Sequence, residues 1–160
     1  MVDKSQFRDA MAHLPAAVNV LTSAGSAGRV GLTATAVSSV TDEPGTLLVC
    51  VNRSGRARDV FLQNGVFCVN TLSSEQAGIS DKFAREPDMD KRFEIGAWFD
   101  LPSGSPGLEG ATINFDCKIV ASSDVGTHTV FFGEVQSVRR AENPTGLLYF
   151  GRGYHKLSLT

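Results

Sequence analysis

The residues from Gly31 to Val40 are almost all small or carry hydroxyl groups. Strands usually favour bulky β-branched or aromatic side chains, so a strand-length run of this kind gives up packing area. Its hydroxyl groups and neighbouring backbone N–H groups can approach a flat polar ligand closely. The run therefore predicts a strand that forms the floor of a planar-cofactor site. The alternative is tight packing between sheets around Ala34 and Ala36.

A second candidate site concentrates positive charge, because residues 52–58 read Asn-Arg-Ser-Gly-Arg-Ala-Arg. The segment follows an apolar run that predicts a buried strand, and it opens a predicted helix. Free N–H groups at a helix start favour a phosphate, and arginine adds bidentate pairing with phosphate oxygens. The net charge is only −2, so any anion site must be local. A phosphorylated small ligand is one interpretation, and an ordinary solvated basic helix start is the other.

Two further segments could display functional groups. His128 begins a predicted strand directly after the turn at Gly126, where loops commonly present reactive side chains. Its alternative role is that of an edge histidine bonded to a nearby carbonyl. In the tail, Arg152 lies between Phe150 and Tyr154, and guanidinium and aromatic planes could hold a flavin or a nicotinamide nucleotide. The same tail could instead form an aromatic plug.

Signatures of several other functions are missing from the sequence. There is no dinucleotide-binding G-x-G-x-x-G after the first strand, no phosphate loop, no H-E-x-x-H and no G-x-S-x-G. The three histidines are far apart and lack a cysteine at ligand spacing, so we expect no metal site.

Cysteine usage and the apolar pattern bear on the compartment. Cys50, Cys68 and Cys117 are odd in number and lie in apolar stretches, which predicts buried reduced thiols. The start of the chain lacks the pattern of a targeting leader, and no stretch approaches the ~20 apolar residues of a membrane span. We therefore expect a soluble cytoplasmic protein.

The candidate residues must be positioned by a single domain spanning residues 1–160, since no repeat or linker divides the chain. Phe7, Met11 and Leu14 follow helical spacing and predict an opening helix that ends before Pro15 and covers a sheet. The segment from Ala16 to Thr22 and the small-residue run predict a hairpin.

The middle of the chain predicts two helices between strands. Asn52 to Gly65 reads as a helix capped by Asn52 or Ser54 and stopped by the glycine. Ser73 and Gln76 form a capping-box pattern that opens a second helix towards Phe83.

The second half predicts mostly β structure. Residues 86–110 read as largely irregular, and Ala111 to Ile119 alternates so regularly that one face should be buried and the other wet. Thr127 to Val138 predicts a second long strand, and Leu147 to Phe150 a last short one. Many strands in hairpin order with few helices favour an antiparallel barrel over alternating βαβ units.

Several of these motifs occur together in a known family. The chain strongly resembles the short-chain flavin reductases, the NAD(P)H:flavin oxidoreductase components of two-component flavin monooxygenases. The resemblance is closest to the reductases of the 4-hydroxyphenylacetate 3-monooxygenase and pyrimidine-utilisation groups. It is carried by Phe-Arg-Asp-Ala-Met-Ala-His-Leu from residue 7, Gly-Leu-Thr-Ala-Thr-Ala-Val-Ser-Ser-Val-Thr, Val-Cys-Val-Asn, Phe-Cys-Val-Asn, Gly-Thr-His and Leu-Leu-Tyr-Phe-Gly-Arg. These segments run in order from about Phe7 to His155.

The resemblance implies a mainly β fold with short helices, an FMN-binding split β-barrel of antiparallel Greek-key type that forms a homodimer. It implies a hydride transfer from NADH or NADPH to FMN or FAD, and delivery of the reduced flavin to a separate oxygenase. The flavin ring and ribityl chain would lie along Thr33, Ala34, Thr35, Ala36, Ser38 and Ser39. The phosphate would meet Asn52, Arg53 and Ser54, while Lys82 and Phe83 would complete the pocket.

The nicotinamide side is also assigned by the resemblance. His128 corresponds to the family histidine near the nicotinamide, and Arg152, Gly153 and Tyr154 correspond to the tail that helps to hold it. Many members have Gly-Asp-His where this chain has Gly126-Thr127-His128. The missing carboxylate leaves open the protonation of the histidine and the choice between NADH and NADPH.

Two other functions are compatible with the same residues. A flavin-binding carrier or redox-sensing module would hold FMN without turnover, and it would not need His128 or the tail. A pyridoxal-phosphate or haem-linked split barrel is a weaker third possibility, which the colour of the purified protein would distinguish.

Overall fold

A seven-stranded antiparallel sheet is the centre of the fold in the computed structural model, which describes residues 1–159. In chain order the strands are β1 (Ala16–Ala17), β2 (Asn19–Ser23), β3 (Val30–Ala34), β4 (Val37–Asp42), β5 (Gly45–Asn52), β6 (Val66–Thr71), β7 (Trp98–Asp100), β8 (Pro106–Leu108), β9 (Ile113–Val125), β10 (His128–Arg140), β11 (Thr145–Phe150) and β12 (Gly153–Ser158). The helices are α1 (Lys4–Met11), α2 (Arg56–Asn64), α3 (Ala77–Arg85) and α4 (Met89–Arg92). The large sheet has the order β3-β2-β6-β9-β10-β5-β4, beside the smaller sheets β1-β11-β12 and β7-β8. The predicted mainly β fold with short helices is confirmed.

The two edge strands of the large sheet are consecutive in the chain. β3 and β4 lie at opposite edges, yet only Thr35 and Ala36 separate them. The sheet must therefore curl until a two-residue link can join its edges. The small-residue run is thus two strands and a link, and the prediction of one continuous strand is wrong. The predicted hairpin of the first strands is confirmed, since β2 pairs with β3 in antiparallel register.

Strand β2 shows where the core lies, because all five of its residues are buried. Leu21 belongs to an apolar cluster with Phe61, Phe67 and Phe131, under helix α2. Its neighbour Val20 points to the opposite face of the strand and belongs to a second cluster. That cluster contains Val18, Leu72, Ile79, Phe83, Phe93, Leu108, Ala111 and Leu147. A strand covered on both faces needs apolar residues at consecutive positions. Such a strand lacks the alternation of apolar and polar residues that marks a half-buried strand.

Part of the face of β9 that the sequence predicts to be wet is buried, although Lys118 on the same face is exposed. Asn114 and Asp116 are 2% and 0% exposed, respectively, because the β7–β8 hairpin covers them. Asn114 donates to Asn70 on β6 at 2.8 Å, and Asp116 accepts hydrogen bonds from the backbone N–H and the hydroxyl of Ser103. Asn70 in turn accepts from the Leu108 N–H at 2.8 Å. We call this group, the buried side chains of Thr22, Asn70, Asn114 and Asp116 with the half-buried Ser103, the polar seam.

The segment between residues 86 and 110 is also more regular than predicted. It contains the short helix α4 and the whole β7–β8 hairpin. The hairpin is too short to give a periodic signal, since each of its strands has three residues.

Helix α1 begins and ends near its predicted bounds but does not cover a sheet. None of its residues is buried, and Phe7, Met11 and Leu14 remain 57%, 47% and 58% exposed. The helix is held by the tip of the β11–β12 hairpin, where Arg152 forms an ion pair with Asp9. The Gly151 N–H also donates to Ala12 O at 2.7 Å. We call these contacts the strap.

The predicted helix caps are only partly realised. Helix α2 begins after Gly55, which provides no side-chain cap, because Asn52 instead accepts hydrogen bonds from Ser54. Gly65 ends the helix in a left-handed conformation with φ of 69°, as predicted. Half of the predicted capping box before α3 forms, with the Ser73 N–H donating to Gln76 Oε1 at 3.0 Å. None of the helices within residues 1–159 is both long enough and apolar enough to cross a membrane.

Candidate active site

The two-residue link forms the floor of the largest cleft. Thr35, Ala36, Val37 and Ser38 line one side of it, and helix α1 forms the other side. We call this volume of about 980 Å³ the link cleft. Ligand pockets commonly measure about 300–1,000 Å³ and are mostly apolar, so the link cleft is large enough for a flat organic molecule.

The backbone of the link keeps hydrogen-bonding capacity free. The Thr35 carbonyl accepts from the Val37 N–H at 2.9 Å, and the Ala36 carbonyl accepts from the Cys50 N–H at 3.2 Å. The N–H groups of Thr35 and Ala36 themselves donate to no residue that the structure describes. Two adjacent exposed donors above small side chains are suited to the carbonyl oxygens of a planar heterocycle.

The hydroxyl of Thr33 is already used. It donates to the Ser80 carbonyl on α3 at 2.7 Å, and it therefore ties β3 to that helix. The hydroxyl of Ser38 donates to the Ser39 carbonyl at 3.1 Å. The ligand-binding capacity of the run thus lies mainly in its backbone and its small size, while two of its hydroxyl groups serve the fold.

Strand pairing brings His128 beside Asn52 in the structure. The two residues are partners in the β10–β5 ladder, and the Arg53 N–H donates to Thr127 O at 2.9 Å. The cleft at this place has a volume of about 540 Å³. It is lined by Lys4, Arg8, Asn52, Arg53, Ser54, Gly126, Thr127 and His128, and we call it the histidine cleft.

The imidazole of His128 is oriented by its neighbour in the chain. The Thr127 hydroxyl contacts Nδ1 at 2.9 Å. The Nε2 atom has no hydrogen-bond partner in the described part of the chain. A neutral hydroxyl thus holds one ring nitrogen, and the other remains available to a ligand.

The three arginines of segment 52–58 do not converge on one anion. Arg53 faces the histidine cleft and lies 3.5 Å from Asp124. Arg56 donates to Ala27 O at 3.3 Å. Arg58 pairs with Asp59 at 2.9 Å and with Asp124 at 3.3 Å. The three side chains leave the backbone in different directions, so they do not form one anion site together.

A separate cleft lies at the start of helix α2. It is lined by Leu32, Thr33, Val51, Asn52, Ser54, Gly55, Arg56, Ala57, Phe83, Ala84, Pro87, Met89 and Arg92, and we call it the helix cleft. Its floor is the N-terminus of α2, which has no side-chain cap, and such N–H groups favour a phosphate. Arg92 donates to Glu86 O at 2.6 Å and to Gly31 O at 2.7 Å, and burial lowers its pKa.

The tail residues line a fourth cleft together with β3. Tyr154 and Gly153 face Thr33, Ala34 and Thr35 across it, and we call it the tail cleft. The Tyr154 hydroxyl donates to Asp81 at 2.9 Å and lies 2.8 Å from the Ser80 hydroxyl. Burial raises the pKa of this phenol.

Arg152 is fixed by the strap rather than free. Its guanidinium pairs with Asp9, and this hydrogen bond raises its pKa. The residue itself adopts a left-handed conformation with φ of 62°. Arg152 thus borders both the link cleft and the tail cleft while it holds helix α1.

Three of the predicted site residues have other surroundings. Phe83 is 1% exposed, and its ring packs against Phe93 and Trp98 at 5.1 and 5.3 Å, so it supports the helix cleft mainly from the core. Lys82 pairs with Glu86 at 3.2 Å, and neither Lys82 nor Ser39 lines any of the four clefts.

Sequence reasoning missed three cations that line these clefts. Lys4 and Arg8 approach from α1, and Arg92 approaches from α4. The spacing of Lys4 and Arg8, four positions apart, was a visible signal that both would lie on one face of the predicted helix. Arg92 gave no such signal, because its helix is a single turn inside a segment that reads as irregular.

Several known proteins that are similar to this chain in sequence or structure are flavin reductases. The family described as flavin reductase like domain matches residues 11–158. The FMN reductase (NADH) RutF of Stutzerimonas stutzeri strain A1501 is 50% identical over 157 residues, covering 98% of this chain and 90% of the relative. BorF, the flavin reductase component of a bacterial two-component tryptophan halogenase, has a TM-score of 0.90 at 25% identity, covering 99% of this chain and 100% of its own. The NADH:FAD oxidoreductase SgcE6 of Streptomyces globisporus C-1027, in complex with NAD and FAD fragments, has a TM-score of 0.90 at 28% identity, covering 98% and 93%.

Proposed function

The chain belongs to the flavin reductase-like domain family, and from that premise we propose that it reduces FMN with NADH at the link cleft and passes the reduced flavin to a separate oxygenase. The relatives at about 50% identity are named FMN reductases that use NADH. The observation that carries the placement is the link itself, where two free N–H donors lie on a floor of small side chains.

The flavin ring fits the link cleft. A tricyclic ring needs a flat floor, and the side chains of Thr35, Ala36 and Ser38 are small enough to let it approach the backbone. The N–H groups of Thr35 and Ala36 would donate to its carbonyl oxygens. Phe7 and Met11 of α1 supply an apolar wall on the other side, which would exclude water from the ring.

The flavin phosphate fits the helix cleft. Ser54 and the uncapped start of α2 offer hydroxyl and N–H donors, and Arg56 adds a positive charge. Asn52 lines both this cleft and the histidine cleft, and it is held by Ser54. We therefore assign phosphate binding to Ser54 and Arg56, and we place Asn52 between this phosphate and the nicotinamide side, because it lines both the helix cleft and the histidine cleft.

The nicotinamide side would be formed by His128 and the tail. Residues 152–154 line the tail cleft together with β3, and His128 faces the histidine cleft, which shares Arg8 with the link cleft. His128 would position the nicotinamide through Nε2, because Nδ1 is held by Thr127. Tyr154 would contact the nicotinamide nucleotide with its ring and not with its hydroxyl, because the hydroxyl is already hydrogen-bonded to Asp81 and Ser80.

The redox chemistry belongs to the bound pair, in which a hydride passes from the nicotinamide to the flavin. The chain contributes orientation, exclusion of water and local charge. The net reaction of flavin with NADH also consumes one proton. Nε2 of His128 faces the histidine cleft and would be the atom that passes this proton to the reduced flavin.

The test is an anaerobic titration. NADH added to the protein with FMN should bleach the flavin absorbance, because oxidised flavin is coloured and reduced flavin is not. His128→Ala should raise KM for NADH about tenfold while changing the FMN dissociation constant less than twofold, as expected for the loss of one ligand hydrogen bond. Absence of bleaching would leave a flavin carrier as the function. An unchanged KM would remove His128 from the nicotinamide site.

We also propose a homodimer and an oxygenase partner. BorF, a structural neighbour, is the reductase component of a two-component halogenase, which motivates the oxygenase. A second copy would cover apolar side chains that stay exposed, including Val40, Val120 and Val138 on the sheet. Light scattering should give twice the chain mass of 17.1 kDa, and a monomeric mass at micromolar concentration would contradict the dimer. We place the reaction in the cytoplasm, where the three cysteines would stay reduced.

A further inference from the structure

Helix α1 presents two cations without any counter-ion. Lys4 and Arg8 both line the histidine cleft, and neither side chain forms a hydrogen bond or an ion pair with residues 1–159. They are four positions apart on one helix, where like charges repel and destabilise the helix by a few tenths of a kcal/mol. The chain thus keeps an unfavourable pair beside a cleft.

The carboxylates of the same segment are used elsewhere. Asp3 caps α1 by accepting from the Gln6 N–H at 2.9 Å, and Asp9 pairs with Arg152. No aspartate or glutamate lines the histidine cleft. The positive charge of Lys4 and Arg8 is therefore left for something outside the chain.

The third cation of the histidine cleft, Arg53, has a carboxylate partner, which distinguishes it from Lys4 and Arg8. Arg53 and Arg58 share Asp124, whose pKa is lowered by the Thr129 hydroxyl and by the two arginines. A cleft with unpaired ammonium and guanidinium groups and neutral donors is suited to phosphate oxygens.

The position of the cleft indicates which phosphate. The histidine cleft contains His128, to which the proposed function assigns the nicotinamide, and Arg8 also lines the link cleft, to which it assigns the flavin ring. The flavin phosphate has its own place at the start of α2. A dinucleotide whose nicotinamide reaches His128 must carry its phosphates past the same cleft.

We propose that Lys4 and Arg8 bind the phosphate groups of the nicotinamide dinucleotide and so determine the affinity for the electron donor. This inference rests on the proposed function. Two phosphate groups could bind these cations. One is the pyrophosphate common to NADH and NADPH, and the other is the 2′-phosphate found only in NADPH. Both residues lie on helix α1, which the strap holds to the tail.

The test uses probes that lack nicotinamide, so that it does not depend on turnover. Isothermal titration calorimetry should measure binding of ADP-ribose and of its 2′-phosphate to the full chain and to the double variant Lys4→Gln/Arg8→Gln. We expect the affinity of the variant to fall tenfold or more for ADP-ribose, since each charge-assisted contact contributes about that much or more. Its melting temperature should stay within about 2 °C, because both side chains are exposed.

Matched controls separate a specific site from net charge. Lys118→Gln/Arg140→Gln removes the same charge from exposed positions on β9 and β10, and it should leave the affinity for ADP-ribose unchanged. Arg8→Lys should retain most of the affinity. In steady state, the KM for NADH should rise with unchanged kcat, and it should depend less on salt than in the wild type.

The outcomes distinguish binding of the pyrophosphate from binding of the 2′-phosphate. They also distinguish failure of this inference from failure of the proposed function. A loss confined to the 2′-phosphorylated probe would assign the cations to that group. If wild-type protein bleaches FMN but binds no ADP-ribose, or if both double variants behave alike, the inference is wrong and the proposed function stands. Weaker binding of FMN but not of riboflavin would mean that the cleft holds the flavin phosphate, which also overturns it. Absence of bleaching in the wild type would instead contradict the proposed function.

Discussion

The polar seam and the histidine cleft use similar side chains for opposite purposes. In the seam, Asn70 makes five hydrogen-bond contacts, donating to Val20 O and Thr22 and accepting from Cys68, Leu108 and Asn114. In the histidine cleft, Lys4 and Arg8 have no partner among the residues that the structure describes, and His128 keeps one nitrogen free. The seam is buried, and the cleft is open to solvent.

The difference shows how to recognise a binding site among polar residues. A buried polar group must be paired within the fold, because leaving it unpaired costs about 1–3 kcal/mol. An exposed polar group can stay free to bind a ligand at little cost in stability, because it forms hydrogen bonds to water until the ligand binds. Residue type alone therefore does not identify a site, whereas unspent hydrogen-bonding capacity in a cleft does.

The largest expected effect is on the seam. Asn70→Ala should lower the free energy of unfolding by about 3 kcal/mol or more, because it leaves several buried donors and acceptors unpaired. Urea denaturation measures this change. The matched variant Asn52→Ala removes an exposed asparagine at the edge of the clefts and should cost about 1 kcal/mol or less. Equal losses would mean that the two regions do not differ in the way described.

An intermediate effect is expected at the start of α2. Arg56→Gln should weaken FMN binding about tenfold and leave riboflavin binding unchanged, because only FMN carries the phosphate. Fluorescence quenching of each flavin measures both constants. The control is Arg58→Gln, whose guanidinium is held by Asp59 and Asp124 and should not alter the ratio. A ratio that moves equally in both variants would assign the phosphate elsewhere.

The smallest effect concerns Tyr154, a residue of the clefts whose hydroxyl is spent. Burial raises its folded pKa above the ordinary value of 10.0, so the folded state favours the neutral phenol. The contribution of this phenol to the free energy of unfolding is fully present below pH 10.0, and it is lost as the pH rises through the folded pKa. Tyr154→Phe should therefore show a shallower alkaline loss of the free energy of unfolding than the wild type. Parallel curves would show that the phenol does not titrate differently in the folded state.

Local signals predicted much of the fold. Gly65 ends α2 as expected, since only a residue without Cβ adopts a left-handed conformation readily. The hairpin of β2 and β3 and the two long strands were visible in the alternation of apolar residues and turns. The family resemblance assigned Asn52 to the flavin phosphate and His128 to the nicotinamide, and these roles stay predictions, although the β10–β5 register makes the two residues neighbours.

The remaining errors share a physical cause. Asn114 and Asp116 look like residues of a wet face, because the three-residue strands of the preceding hairpin give no periodic signal that it will fold over them. Conversely, Phe7 and Met11 look like a core-facing stripe, yet they line an open cleft. The directions of Arg53, Arg56 and Arg58 were hidden for the same reason, since their partners lie on other elements. Contacts between elements far apart in the chain are not encoded in local periodicity.

The link of Thr35 and Ala36 has a consequence for handling the protein. Both edge strands of the large sheet depart from it, so the unpaired margins of β3 and β4 open beside the groove proposed for flavin. Unpaired strand margins recruit strands from other molecules. Flavin bound in the link cleft would shield these edges. Protein without flavin should therefore aggregate on storage sooner than protein saturated with flavin.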